Sequence, residues 1–126
     1  MKVHLSDGEW KLMDALWSCN SATITQLTRV LAEETGWSKH TIITMLSRLE
    51  AKGVVHHTEE GRAKHYAPLL SRSDAARTAT EQFLGKVYGG SLGLMMSAMV
   101  HSHTLTQQDL EELSAILEQA KEGDTP

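Results

Sequence analysis

Lys39, His40, Ile43, Thr44 and Ser47 lie at offsets of zero, one, four, five and eight positions, so on a helix they share one side. Short polar and basic groups near the N-terminal end of such a helix can reach base edges in a duplex groove. Thr41 stands beside this side, where its hydroxyl can donate to a phosphate. Ile43 can pack on a thymine methyl, although an isolated exposed isoleucine is common on protein surfaces. Arg48 and Lys52 come at the other end of the same stretch, where backbone contact and intramolecular pairing both suit them. Arg62 and Lys64 flank a turn, and two cations at a hairpin tip can rest against phosphate or in a minor groove. The plain alternatives are a solvated helix side and, because Glu59 and Glu60 adjoin Arg62, a solvated turn with local ion pairs.

Seven histidines raise a second chemistry, metal ligation. His101 and His103 are two apart in a segment that reads as irregular. His56 and His57 are neighbours on a strand and so point to opposite faces. A site needs three or four converging ligands, and no such set assembles, so no metal and no cofactor are expected. Solvated loop histidines account for His101 and His103. Cys19 stands alone, which rules out an internal disulfide and agrees with a reducing cytosol. It is expected as a small buried or half-buried apolar residue. No nucleophile elbow, phosphate-cradling glycine loop or paired-carboxylate site is present, so catalysis is not expected.

The elements that must position these residues follow from capping pairs and periodicity. Ser6 with Glu9 opens a first helix that turns Trp10, Met13, Leu16 and Trp17 inward. Thr23 with Gln26 opens a second, carrying Leu27, Val30 and Leu31 and ending near Gly36. Ser38 caps a third helix whose buried stripe is Ile42, Met45, Leu46 and Leu49, with Gly53 as its left-handed cap. Val54 to Thr58 reads as a strand, Glu59 to Arg62 as a turn, and Ala63 to Ala67 as a second strand ended by Pro68. Three helices followed by a hairpin is the order of a winged helix-turn-helix; a plain three-helix bundle with a hairpin is the alternative.

Beyond Leu70 the pattern is helical only. Helices are expected from about Ser73 (Ala76, Phe83, Leu84, Val87), from Leu92 to Val100 after the Gly89-Gly90 break, and after a Thr106/Asp109 cap. The tail from Glu122 to Pro126 should fray. The fold class is therefore mainly α: a winged helix over residues 1–70 and a helical region over 71–126. Some fifty residues poor in aromatics are too few to build a core alone. Phe83, Val87, Leu92, Met95, Met99, Leu110, Leu113, Ile116 and Leu117 are expected to bury against a second copy in a homodimer; packing back on the same subunit is the alternative.

Charge supports this division. The chain has 126 residues and a net charge of −4, but residues 1–70 carry eight basic and eight acidic side chains against four and eight beyond. Residues 37–65 hold five basic and three acidic groups, a local excess suited to a small duplex-binding surface. No basic head with an apolar run and a small-residue cleavage site occurs early, and Leu92 to Val100 is too short to span a bilayer. A cytoplasmic protein without membrane insertion is expected.

Leu5-Ser6, Glu9-Trp10, Met13 and Leu16-Trp17 precede Trp37-Ser38-x-x-Thr41-Ile42-x-Thr44-Met45-Leu46-x-Arg48-Leu49-x-x-Lys52-Gly53 and a hairpin ending in Tyr66. Phe83, Lys86-Val87-Tyr88-Gly89-Gly90 and Leu105 to Leu113 follow. This combination resembles the penicillinase repressor family (the BlaI, MecI and CopY transcriptional repressors) over nearly the whole chain. The resemblance implies transcription regulation by a winged helix that binds a palindromic operator, with a C-terminal helical dimerisation region. It also implies an upstream sensor protease in the antibiotic branch and a copper-holding cysteine cluster in the copper branch. That cluster is missing here, which leaves a histidine-based copper- or zinc-responsive repressor as the alternative on the same fold. Ala98-Met99 stands at the place of the antibiotic branch's Asn-Phe scissile pair, and His40 and Ile43 stand where that branch has Lys and Arg.

Overall fold

The computed structural model describes residues 3–123 of the chain. They form two compact units that divide between Glu81 and Gln82.

The first unit begins with α1 (Asp7–Cys19), opened by a reciprocal capping box. Ser6 Oγ accepts from Glu9 N–H at 3.2 Å, and Glu9 Oε1 accepts from Ser6 N–H at 2.8 Å. Thr23 and Gln26 repeat the device at the start of α2 (Ile24–Thr35), which ends at a left-handed Gly36. α3 (Lys39–Ala51) is capped by Ser38, whose Oγ accepts from Thr41 N–H. Gly53, at φ +81°, turns the chain out of α3 into the hairpin. Each start satisfies orphan helix amides locally, which is why three short helices begin where the serines and threonines stand.

The hairpin is longer than its sequence suggests. β2 (Val55–Glu60) and β3 (Ala63–Pro68) pair antiparallel with Glu60 opposite Ala63. Glu59 and Glu60 therefore belong to a strand, and the turn shrinks to Gly61-Arg62, with Gly61 at φ +65° as a two-residue hairpin loop demands at its first position. Pro68 sits inside β3 opposite Val55. A further strand, β1 (Ala22–Thr23), pairs with Tyr66 and His65 on the other side of β3, giving the order β1-β3-β2.

The core of this unit joins Leu12, Met13 and Leu16 of α1, Leu27 and Leu31 of α2, and Ile42, Leu46 and Leu49 of α3 to Val54, Val55 and Tyr66. Full burial of side chains this size stabilises by about 1.5–3 kcal/mol each before entropy is counted. Three expectations need correction. Val30 is 66% exposed, because the α2 stripe is only Leu27 and Leu31 wide. Met45 of the expected α3 stripe is half-buried, while Trp10 and Trp17 pack against the core from its edge as the α1 spacing predicts. Cys19 is exposed at the end of α1, where its Sγ donates to the Ala15 carbonyl.

α4 (Arg72–Tyr88) begins against α1. Ala75 enters the core, Trp17 Nε1–H donates to the Leu70 carbonyl at 2.8 Å, and Arg72 pairs with Asp14 over the Trp10 ring.

In the second unit, α4 ends at Gly89 and Gly90, both left-handed, and the Gly90 N–H caps the Leu84 carbonyl. α5 (Leu92–His101) and α6 (Gln107–Gly123) follow, the latter opened by a Thr106/Asp109 capping pair. Glu122 and Gly123 of the expected frayed tail lie in α6, and 124–126 fall outside the described residues. Between α5 and α6 runs an apolar groove of about 490 Å³ lined by Met95, Met99, Leu113 and Ile116. No described residue of α5 or α6 is fully buried. No single helix among the described residues is long and apolar enough to cross a membrane.

Candidate nucleic-acid interface

α3 packs Ile42, Leu46 and Leu49 inward, and this fixes what it shows outside. Lys39, His40, Thr44, Ser47 and Arg48 are exposed, Ile43 is 40% exposed and Thr41 is half-buried. The side predicted from spacing is thus free of the core of the first unit.

Its hydrogen bonding shapes what it can offer. Thr44 Oγ1 donates to the His40 carbonyl at 3.1 Å, which commits the hydroxyl proton and leaves oxygen lone pairs and a methyl outward. Such a group accepts from an exocyclic amine or packs on a thymine methyl. The Ser47 hydroxyl has no side-chain or backbone partner among the described residues and can donate or accept. Thr41 Oγ1 lies 3.2 Å from Ser38 Oγ at the cap, so it is held at the N-terminal end of the helix.

The wing brings further cations to the same place. An open groove of about 500 Å³ is lined by Lys39, Ile43 and Ser47 of α3, by Arg62 and Lys64 of the hairpin, and by Thr23 to Thr25 and Tyr66. Lys39, Arg48, Arg62 and Lys64 make no ion pair among the described residues. Glu59 and Glu60 make no ion pair among the described residues, although Glu59 lies opposite Lys64 in the ladder. Thr23, Thr25 and Tyr66 are groove residues that spacing did not single out. Thr23 was legible as the cap of α2, but only the fold sets it and Thr25 beside α3.

Two charged partnerships stand behind this surface. Lys52 turns away from it: its Nζ reaches Glu9 Oε1 at 2.7 Å and the His4 carbonyl at 2.9 Å, which settles the choice left open for Lys52 in favour of intramolecular pairing. Burial works to raise the Glu9 pKa, but Lys52 and the Ser6 amide and hydroxyl together outweigh it and hold the carboxyl below its ordinary value. His57 and Glu50 meet at 2.6 Å behind the hairpin, and His56 on the opposite face is exposed. Burial first, then the Glu50 carboxylate, push the Tyr66 phenol up.

The remaining histidines gather no site. His101 Nδ1 lies 2.7 Å from the Ser97 carbonyl oxygen, and no group of three or more His, Cys, Asp or Glu side chains suited to a metal ion occurs among the described residues.

In the second unit, Phe83, Val87, Leu92, Leu110, Ile116 and Leu117 are exposed in the single chain, and Met95, Met99 and Leu113 are half-buried. Ala98-Met99 lies in the last turns of α5, where the Ala98 carbonyl accepts from Ser102 N–H at 3.0 Å and the Met99 carbonyl from Thr104 N–H at 3.1 Å.

Comparison with known proteins places this geometry. The family model described as "Penicillinase repressor" matches residues 5–119. The chain is 33% identical over 117 residues to the penicillinase repressor of Bacillus licheniformis, covering 93% of this chain and 91% of that one. It is 28% identical over 113 residues to the methicillin resistance regulatory protein MecI of Staphylococcus aureus, covering 90% and 92%. Among solved structures, the DNA-binding domain of the repressor BlaI superposes with a TM-score of 0.53 at 37% identity, over 59% of this chain and 93% of that one. Bacillus licheniformis BlaI, solved as a monomer in complex with the blaP half-operator, gives 0.52 at 35% identity over 59% and 90%. A cysteine-to-serine variant of Escherichia coli MarR shares the fold alone, with a TM-score of 0.51 at 19% identity over 92% and 77%. By sequence over nearly its whole length and by the winged helix of its first unit, the chain belongs to the penicillinase repressor family.

Proposed function

We propose that two copies of this chain bind one palindromic operator duplex in the cytoplasm and repress the gene beside it by occupying the site. The protein is a penicillinase-type DNA-binding repressor, and that family is not a class of enzymes. Each α3 lies in a major groove with Lys39, His40, Ile43, Thr44 and Ser47 toward base edges, and with Thr41 and Arg48 toward phosphates. Arg62 and Lys64 on the wing hold the adjacent backbone. The observation that carries this proposal is the exposed side of α3, whose Lys39, Ile43 and Ser47 line one groove with the two wing cations. The half-operator in the related BlaI complex supports it.

Dimerisation rests on the second unit. α5 is apolar almost all round, and a helix of that kind is stable in water only when covered. A second copy offers the same surface under two-fold symmetry, and two half-sites about 34–36 Å apart match two recognition helices. A sensor protease acting at Ala98-Met99 would first have to unwind the last turn of α5, because both carbonyls are hydrogen-bonded there.

Selection of binding sequences from a random duplex pool with the full chain tests the proposal. Enrichment of a palindrome with half-sites one helical turn apart is the expected result; recovery of no common sequence at low salt would overturn it.

A further inference from the structure

Glu50, the acidic residue of α3, faces the back of the wing. Its Oε2 lies 2.6 Å from His57 Nδ1 on β2. An ionised carboxylate only accepts, so His57 donates from Nδ1. Both side chains are partly shielded from water, with 36% of Glu50 and 27% of His57 exposed. The His57 ring is tilted against the Tyr66 ring at 5.2 Å, and Tyr66, its cross-strand neighbour on β3, is buried while lining the groove shared by Lys39, Ser47, Arg62 and Lys64. A continuous line of contacts therefore runs from α3 through β2 and β3 to the wall of the DNA-facing groove. Among the described residues, Glu50 to His57 is the side-chain hydrogen bond that joins α3 to the hairpin. Beyond His57, β2 continues as Thr58, Glu59 and Glu60, all exposed and without a side-chain hydrogen bond to α3. The base of the hairpin is fixed by the β1 pairing with Tyr66 and His65 and by the burial of Val54, Val55 and Tyr66, so Glu50 to His57 is the side-chain hydrogen bond that sets the outer stretch of the wing against α3.

Resting on the proposal that α3 and the wing grip one duplex, we infer that Glu50 and His57 are positioning residues: they set the wing where Arg62 and Lys64 reach phosphate while α3 occupies the groove. Neither touches DNA. Their loss frees the wing without altering the α3 side that reads bases, so it removes phosphate contacts and leaves sequence preference in place.

The salt dependence of binding separates this role from a loss of folded protein. Unfolding lowers the active fraction, whereas the slope of log K against log salt counts phosphates, at about 0.9 each. The full chain is titrated on its selected palindrome as wild type, His57→Phe, Glu50→Ala and Glu50→Gln, with thermal melts of each. His57→Phe keeps a ring against Tyr66 and removes the donor; Glu50→Gln keeps a carbonyl acceptor. Expected are slopes lowered by about 1.8 per subunit in His57→Phe and Glu50→Ala, two phosphates' worth, a wild-type slope in Glu50→Gln, and no further change when His57→Phe is added to an Arg62→Ala/Lys64→Ala chain. A folded His57→Phe chain with the wild-type slope would overturn the inference, as would a Glu50→Gln slope as low as that of Glu50→Ala. Failure of the wild-type chain to bind any duplex would instead overturn the proposed function.

Discussion

At the scale of single residues, spacing and contact carry different information. The outward side of α3 was legible because a helix repeats every 3.6 residues, so an apolar stripe through Ile42, Leu46 and Leu49 dictates which neighbours face water. Glu9 to Lys52 and Glu50 to His57 were not, because their partners lie 43 and 7 residues apart on elements that only the tertiary fold brings together. The first of these predicts a stability dependence on pH. Because the folded pKa of Glu9 is below its ordinary 4.5, the contribution of Glu9 is fully present above that value and is lost as pH falls through the lowered folded one. In Lys52→Met the chief opposing influence, burial, loses its strongest counterweight. Glu9 then becomes a poorly compensated buried charge that protonation relieves. Urea unfolding should show Lys52→Met less stable than wild type by about 1–3 kcal/mol at pH 7, discounted for the partial exposure of Lys52. The gap should close as pH falls through the lowered folded value of Glu9; a gap that is constant with pH would show that the pair contributes only packing.

At the scale of elements, local signals located the helices and non-local ones trimmed them. Ser6/Glu9, Thr23/Gln26 and Thr106/Asp109 all cap as predicted, since both partners of each pair are within one turn. β1 escaped notice because a two-residue strand has no period of its own and exists only through Tyr66 and His65. The turn was drawn too long because Glu59 and Glu60 are polar on an exposed strand, and polarity alone does not distinguish strand from loop. Gly61 carries the tight turn at φ +65°. Gly61→Val should cost about 1–2 kcal/mol, since a β-branched residue is strained in the left-handed region. It should also weaken DNA binding chiefly through a reduced salt slope as the wing tip distorts. Measured melts and slopes equal to wild type would show that another residue can accept the turn.

At the scale of the whole molecule, the first unit has a closed core and the second does not. Phe83 and Leu117 remain 51% and 58% exposed, and no residue of α5 or α6 is fully buried. The scarcity of aromatics and the run of methionines beyond Leu70 already point to an open core, but one chain's sequence does not name its partner. If a second copy covers these faces, Leu117→Glu should shift sedimentation equilibrium from dimer to monomer at micromolar concentration and weaken palindrome binding far more than single half-site binding. A wild-type monomer at that concentration would contradict the dimer. The central claim, that the exposed side of α3 reads base sequence, is tested most directly by anisotropy titrations of the Thr44→Ala/Ser47→Ala chain on the selected palindrome and on a scrambled duplex at one salt concentration. The account predicts a loss of discrimination of about 1–3 kcal/mol for each base contact removed, with binding to the scrambled duplex unchanged. Undiminished preference for the palindrome, or an equal loss on both duplexes, would contradict it.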